Sequence, residues 1–564
     1  MMSEFNPGLI MIMGGLLVPF FSGMVRKCLL LILPVIGLAV TIGLESSASA
    51  SLVLFDYKLE YLRVDRLALI WGYIFHIAAF LGALYAIHED DVLQGTMAQI
   101  YMGSAVAAVF AGDLITLFIF WEITAIASVF LIWASGTERS FRAGMRYLII
   151  QVGSGVLLLA GAIILYSETG TIAFNHIGLE SLGGKLIFLA FGIKCAFPLL
   201  HNWLQDSYPE ATVTGTVILS AFTTKLAVYC LARGYAGTEI LIYIGAAMTA
   251  FPVFFAVIEN NLRKVLAYSL NNQLGFMVCG VGIGSELALN GTASHAFAHI
   301  LYKALLFMSM GAVLFRTGTV KASELGGLYK SMPWTAGFCI IGALSISAFP
   351  LFSGFVTKSM ILTAAAEEHR WIVWSVLLIA SAGVMEHSGI KIPYFAFFAH
   401  DSGKRVKEAP LNMLLAMGVT AVLCIAIGIY PSALYSILPY EVSYSPYTFG
   451  HVITSLQLLI FAALAFVFLI WTGLYPAETP STNLDFDWVY RRFFPRLFDW
   501  FKQGFHEFSN KSSDFLLAIY RKTLAWVSRH HGINGLMART DHLGVMVFWT
   551  MVVFLIFLIL YMNG

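Results

Sequence analysis

Charge is what this chain is short of: Asp, Glu, Lys and Arg make up 12% of its 564 residues, whereas an ordinary soluble domain carries about 25%. With 59% hydrophobic residues and a mean hydropathy of +0.81, it reads as a polytopic membrane protein. Neither sign dominates, since 33 Lys and Arg face 32 Asp and Glu, so the basic excess that a nucleic-acid partner requires is missing. Cysteine is also scarce. The six (Cys28, Cys195, Cys230, Cys279, Cys339 and Cys424) lie in or beside apolar stretches and form no CxxC pair, which argues against disulfides, zinc and iron-sulfur ligation. No Walker-type loop and no dinucleotide fingerprint occur. No cofactor and no metal site are therefore expected, and any redox chemistry would belong to partners. The first apolar stretch, residues 9–21, lacks a basic region before it and a small-residue cleavage site after it, so it is expected to be retained as a span.

What is present is apolar sequence in lengths of about twenty residues, enough for one crossing each. The expectation is an all-α polytopic fold of about sixteen transmembrane helices: N-terminal spans in 1–90, a core in 91–410, further spans in 411–482, a polar aromatic segment in 483–542 and a last span in 543–564. Basic residues follow the odd-numbered spans, as in Arg26-Lys27, Arg139/Arg142/Arg146, Arg263-Lys264, Arg316/Lys321/Lys330 and Lys404-Arg405/Lys407. On the opposite side only one loop (Lys58, Arg63, Arg66) is comparably basic. By the positive-inside rule both termini face away from the cytoplasm. In the polar segment, Trp488, Phe493, Leu497, Trp500 and Phe505 recur at roughly helical spacing between Arg and Lys, the pattern of an amphipathic helix along a membrane surface or a partner. Pro495, Gly532 and Gly535 are expected to interrupt it.

The remaining charges are placed where lipid is the solvent. His295, His299 and Lys303 recur every four residues in an otherwise apolar helix, on one face and over about 12 Å of depth. Glu122, Lys194, Lys225 and Lys358 lie inside four further spans. A charge at the bilayer centre costs about 2.5 kcal/mol or more, so such groups usually face an interior or a wet path and carry protons or ions. A set of satisfied interior polar groups, or a lysine snorkelling to the interface, is the plain alternative, and it fits one such residue better than the four of His295, His299, Lys303 and Lys358. A histidine titrates near neutrality, and a lysine that can be neutral or charged can hold a proton and release it. Pro198 after Lys194, and Pro350 with Gly354 before Lys358, predict broken helices five spans apart, as two repeats of five helices would place them. An odd number of helices per repeat makes them inverted, and broken helices in matching halves mark transporter sites. Glu386, His387 and Lys391 in the thirteenth span either extend the path or lie at its watery end. His530-His531 reads as a solvated pair, since neighbours on a helix point apart.

Six runs, GDLITLFIFWEITAIASVFLIWAS, KCAFPLLHNWLQDSYPEAT, RKVLAYSLNNQLGF, HAFAHILYKALLFMSMGAVL, ELGGLYKSMP and SAFPLFSGFVTKSMIL, resemble in order the membrane subunits shared by respiratory complex I and Mrp-type cation/proton antiporters, over about residues 90–410. The resemblance implies a charged pair of Glu122 and Lys194, a connecting relay through Lys225, His295, His299 and Lys303, and a terminal group at Lys358. The chain departs from the family's usual WLPDAH at Gln205, Asp206 and Ser207, has Asn261 where an aspartate is frequent, and carries Gln151 and Ser154 where some complex I members have Arg and Asp. The residues around 482–488 look like those of the antiporters' D-type subunits. The implied function is a proton-translocating component of a multisubunit monovalent cation/proton antiporter in the bacterial plasma (inner) membrane, with other membrane subunits, lipid, protons and Na⁺ as partners. Alternatives are a proton-pumping component of a complex I-like quinone reductase or hydrogenase, an accessory component of a bicarbonate-accumulating complex, and a scaffold whose relay is vestigial. Whether the chain counts as part of an enzyme depends on which complex holds it.

Overall fold

The computed structural model describes residues 5–54, 57–479, 483–533, 535 and 542–562. It comprises two compact units, Met1–Asn483 and Leu484–Gly564. The first unit begins with α1 (Gly8–Leu17) and α2 (Gly23–Ile42), followed by strands β1 (Ser49–Leu54) and β2 (Tyr57–Arg63). Then come α3 (Arg66–Ala86), α4 (Val92–Val109), α5 (Leu114–Trp133), α6 (Glu138–Thr169), α7 (Leu182–Lys194), α8 (Asn202–Ser207), α9 (Val213–Ala221), α10 (Thr223–Gly234), α11 (Ile240–Ile258), α12 (Leu262–Ile283) and α13 (Glu286–Thr317). After these follow α14 (Pro333–Ile346), α15 (Ser353–Glu367) and α16 (Trp371–Val384), which runs on through a π-turn at Met385–Ile390, α17 (Lys391–Pro393) and a second π-turn at Tyr394–Phe398. The unit closes with α18 (Leu411–Ile429), α19 (Ser432–Tyr435) and α20 (Phe449–Trp471). The second holds α21 (Phe494–His531) and α22 (Leu543–Met562).

Among the described residues eleven helices are long and apolar enough to cross a membrane, as befits a multi-pass membrane protein. Eight helices, five of those spans among them, start where short polar side chains cap them: Asp65, Asp91, Asp113, Thr137, Ser181, Thr212, Asn261 and Thr448 each accept a backbone N–H of the first turn, satisfying donors that a helix start leaves unpaired. Burial sorts the helices by role. The apolar windows of residues 213–234 and 286–317 are 100% and 94% buried, against 11% for α20. Lys225, His295, His299 and Lys303 thus sit on interior helices, shielded from lipid.

The expectation of an all-helical chain needs one correction. β1 and β2 form an antiparallel hairpin between α2 and α3, and its backbone is tied in: the Arg63 N–H donates to Phe110 O at 2.8 Å and the Gly112 N–H to Glu60 O at 2.8 Å. Leu59 and Tyr61 alternating with Lys58 and Glu60 give the two-residue period that a half-buried strand needs. A second correction concerns α21, which is one helix of 38 residues. Pro495 stands in its first turn, where the missing N–H has no partner to lose, while Gly532 does end it. Residues 534 and 536–541 of the polar segment lie outside the described residues.

Two pairs of places share one backbone pattern. In Ala196-Phe197-Pro198-Leu199 and Ala348-Phe349-Pro350-Leu351, both Ala and both Leu adopt positive φ, between 59° and 74°. The Phe197 N–H bonds Gly192 O at 3.0 Å, and the Phe349 N–H bonds Leu344 O at 3.0 Å. In the second pair, Asp113 and Asn261 cap α5 and α12 and bridge to Ala173 and Lys321. The helices that follow them, α6 and α13, have 32 residues each and end in Thr169-Gly170-Thr171 and Thr317-Gly318-Thr319, with both glycines left-handed. Only glycine adopts that cap without strain.

Candidate functional site

Glu122 lies midway along α5, one residue after Trp121. The indole N–H of Trp121 donates to Ser154 Oγ of α6 at 3.1 Å, and that hydroxyl donates to Ala190 O of α7 at 2.8 Å, so one serine fixes three helices. Lys194 is the last residue of α7 and fully buried. Its ammonium donates to Trp121 O at 2.6 Å and stands 4.1 Å from the centre of the indole ring, an arrangement in which ring face and carbonyl replace part of the lost hydration. The sequence reading joins Lys194 to Glu122 as a charged pair. The structure makes them neighbours through Trp121 with no hydrogen bond or ion pair between them: Glu122 Oε1 is buried without a protein partner. A Cβ on Gly155 would lie 1.4 Å from that oxygen, so the glycine is what leaves space for the carboxylate.

Lys225 occupies the first turn of α10, just past an interruption at Phe222 that the sequence did not announce. Its ammonium donates back to Ser220 O at 2.5 Å, at the end of α9, and Tyr101 Oη accepts the freed Thr223 N–H at 3.1 Å. Lys358 repeats the device. It sits in α15 and donates to Ile346 O, the last residue of α14, at 3.0 Å, and to Ser381 Oγ at 3.4 Å. Both lysines therefore cover the C-terminal carbonyls of a broken helix, where unpaired oxygens and the negative end of the helix dipole favour a cation.

Between these ends runs α13. His295 Nδ1 is 3.2 Å from Thr357 Oγ1, the residue before Lys358, and its Nε2 is 3.4 Å from Tyr302 Oη, which donates to Gln273 Oε1 at 3.1 Å. The His295 and His299 rings are 6.2 Å apart. Both nitrogens of His299 and Nζ of Lys303 are buried with no protein partner, a condition that costs about 1–3 kcal/mol per group or more when charged and that native structures keep for a reason. The structure thus joins Lys194 to Trp121 and His295 to the Lys358 turn. Lys225, His299 and Lys303 share the same interior without direct hydrogen bonds to one another.

Sequence reasoning missed the partners: Trp121, Ser154, Gln273, Tyr302, Thr357 and Ser381. One signal was available, since Asn271, Asn272 and Gln273 are three consecutive carboxamides in an apolar helix; Asn271 donates to Ala196 O at 3.1 Å in the first break, and Asn272 to Thr249 O at 2.5 Å. Of the departures from the family pattern, Asp206 accepts from Arg146 Nε at 2.7 Å. Asn261 caps α12 as an aspartate would. A cavity of about 260 Å³ borders Lys358, Ser347, Ser381, Glu367, Thr454 and His451, so Lys358 lines open space within the fold.

Residues 111–383 match the model of the family described as NADH:quinone oxidoreductase/Mrp antiporter, transmembrane. The D component of the Na⁺/H⁺ antiporter of Alkalihalophilus pseudofirmus is 32% identical over 311 residues, covering 52% of this chain and 63% of that protein. The N component of the NADH-quinone oxidoreductase of Desulforudis audaxviator is 31% identical over 350 residues, covering 56% of this chain and 69% of that protein. These matches span about two thirds of the relatives' own length. In fold, the chain superposes on a chain of an archaeal membrane-bound sulfane sulfur reductase with a TM-score of 0.71 at 20% identity, covering 98% of this chain and 99% of that one.

Proposed function

The chain belongs to the NADH:quinone oxidoreductase/Mrp antiporter transmembrane family, and from that premise we propose that it is the proton-translocating component, of the D type, of a multisubunit monovalent cation/proton antiporter. One observation carries this reading: a row of titratable groups, the half-buried Glu122 and the buried Lys194, Lys225, His299, Lys303, His295 and Lys358, crosses the interior of the first unit, and Lys194, Lys225 and Lys358 sit at broken helices. Protons pass between these groups by change of partner, Lys194 between Glu122 and the interior, Lys358 between His295 and the cavity beside it. The spans number sixteen, and the fourth to eighth and ninth to thirteenth are inverted repeats. The matched breaks at Pro198 and Pro350, and the matched caps at Asp113 and Asn261, support that reading. Within the chain, residues 1–90 pack beside the core of 91–410, 411–482 add spans, and 483–542 with the last helix reach other membrane subunits. Both termini face outward from a bacterial plasma membrane, with Na⁺ as the exchanged ion. The chain has no redox site of its own.

The identity to an NADH-quinone oxidoreductase component favours a second reading, the same proton path driven by a quinone reductase or hydrogenase arm. Purifying the tagged chain from its own membranes and measuring Na⁺-driven proton movement in vesicles separates the two. Small antiporter subunits and Na⁺-dependent exchange support the first reading. A co-purifying redox arm with no response to Na⁺ overturns it.

A further inference from the structure

Ser381 of α16 serves Lys358; past the π-turn, α17 and its surroundings hold charges that this relay does not use. Lys391 is fully buried. Its ammonium donates to Val257 O at 2.5 Å and Glu259 O at 2.8 Å, and it pairs with Glu478 Oε1 at 2.8 Å. Glu478, whose side chain is 7% exposed, follows α20 and borders a separate cavity of about 330 Å³ that Tyr475, His400 and Ser323 also line. The charged and titratable groups facing this pair are Glu259, itself paired with Lys264 at 3.2 Å, the half-buried Glu386, His387, and Tyr475 with its hydroxyl buried and unpartnered. The two cavities lie at opposite ends of the same two helices. Ser381 of α16 and Thr454, in the second turn of α20, line the Lys358 cavity, while Lys391 and Glu478 stand at or beyond the far ends. Ser381 and Lys391 are separated by about 15 Å of helix rise, half a bilayer core.

The segment between them is where α16 becomes a π-turn, a distortion that re-aims side chains and is frequent at functional sites. There His387 Nδ1 meets Ser388 Oγ at 2.8 Å, Ser388 Oγ donates to Ser269 Oγ of α12 at 2.8 Å, and His387 Nε2 is buried without a partner. At Gly389 the backbone approaches so closely that a Cβ would lie 2.3 Å from Ser347 Oγ, and Ser347 borders the Lys358 cavity.

We propose that α16 carries a transmembrane proton lane from the Glu478 cavity through Lys391 and His387 to the Lys358 cavity, and that the Lys391–Glu478 pair is its gate. The proposal rests on the proton-transport reading above. A proton from the Glu478 cavity neutralises the carboxylate and breaks the pair. The released ammonium passes one proton to His387, and the neutral amine then takes the proton of Glu478, restoring the pair with one proton moved inward. The π-turn lets His387 face this lane where a regular helix would turn it aside.

The test uses the full complex in everted vesicles at equal abundance of the chain. Glu478→Gln and Lys391→Met are each expected to slow proton movement by roughly a hundredfold, the low end of what a positioned proton-transfer group contributes, while Glu478→Asp keeps most of the rate. Glu478→Gln is also expected to flatten the pH profile of the remaining rate, which loss of a merely structural ion pair would not do. A wild-type rate and pH profile in Glu478→Gln beside an inactive Lys358→Met overturns the lane and leaves the transport reading standing; an active Lys358→Met overturns that reading instead. In a Cys28→Ser background, His400→Cys and Thr454→Cys are expected to react with a membrane-impermeant thiol reagent from opposite sides. Reaction of both from one side overturns the lane, whether or not the Glu478 variants assemble.

Discussion

Lys194 donates its ammonium to the carbonyl oxygen of Trp121 at 2.6 Å and leaves Oε1 of the next residue, Glu122, buried without a hydrogen bond. A lysine held by a carbonyl and a ring face keeps its charge available for a carboxylate one residue away, and neither group is locked in a closed ion pair whose separation would be costly.

Lys194→Ala and Glu122→Ala are each expected to abolish proton movement in membrane vesicles while the chain still inserts and assembles, and Glu122→Asp to be milder because charge is kept and reach shortened. Quenching of a pH-sensitive dye at matched abundance measures this. Near-normal gradients in both alanine variants would remove the two residues from the mechanism.

Gly155→Ala places a methyl group on the position that Glu122 Oε1 occupies, at a nominal 1.4 Å, so the carboxylate must move. Transport is expected to fall by roughly a hundredfold with assembly intact. Gly153→Ala, two residues away with nothing within 4 Å of its added carbon, is expected to match wild type. Equal rates in the two variants would show that the carboxylate's position does not matter.

Leu199 and Leu351 hold φ of 71° and 74°, a left-handed conformation that costs a non-glycine residue about 1–2 kcal/mol. Leu199→Gly is expected to raise the thermal midpoint of the detergent-solubilised complex, and Leu199→Ile, branched at Cβ, to lower it. The opposite order would mean that lipid-facing contacts outweigh backbone strain at the break.

Lys358→Glu is expected to keep some transport, since a buried carboxylate can also cycle through both protonation states, and Lys358→Met to be inactive. If the residue only packed, the order would reverse, because methionine fills the volume without a buried charge. An active methionine variant beside a dead glutamate variant, measured as cation-driven antiport, decides against the proposed role.

By itself the sequence determined the helical, membrane-spanning character, because twenty apolar residues in a row leave the backbone few alternatives in lipid. It also placed seven titratable groups, Glu122, Lys194, Lys225, His295, His299, Lys303 and Lys358, inside apolar runs, where charge stands out, and the breaks at Pro198 and Pro350, since proline removes a donor from the helix ladder. Which groups touch was decided only by the tertiary structure. Lys194 reaches Trp121 across 73 positions and Lys391 reaches Glu259 across 132, and no local period encodes such separations. The interruption at Phe222, the π-turn after Val384 and the space beside Gly155 likewise arise from packing. There the backbone yields to neighbouring helices, and the residues concerned have no intrinsic preference that would announce it.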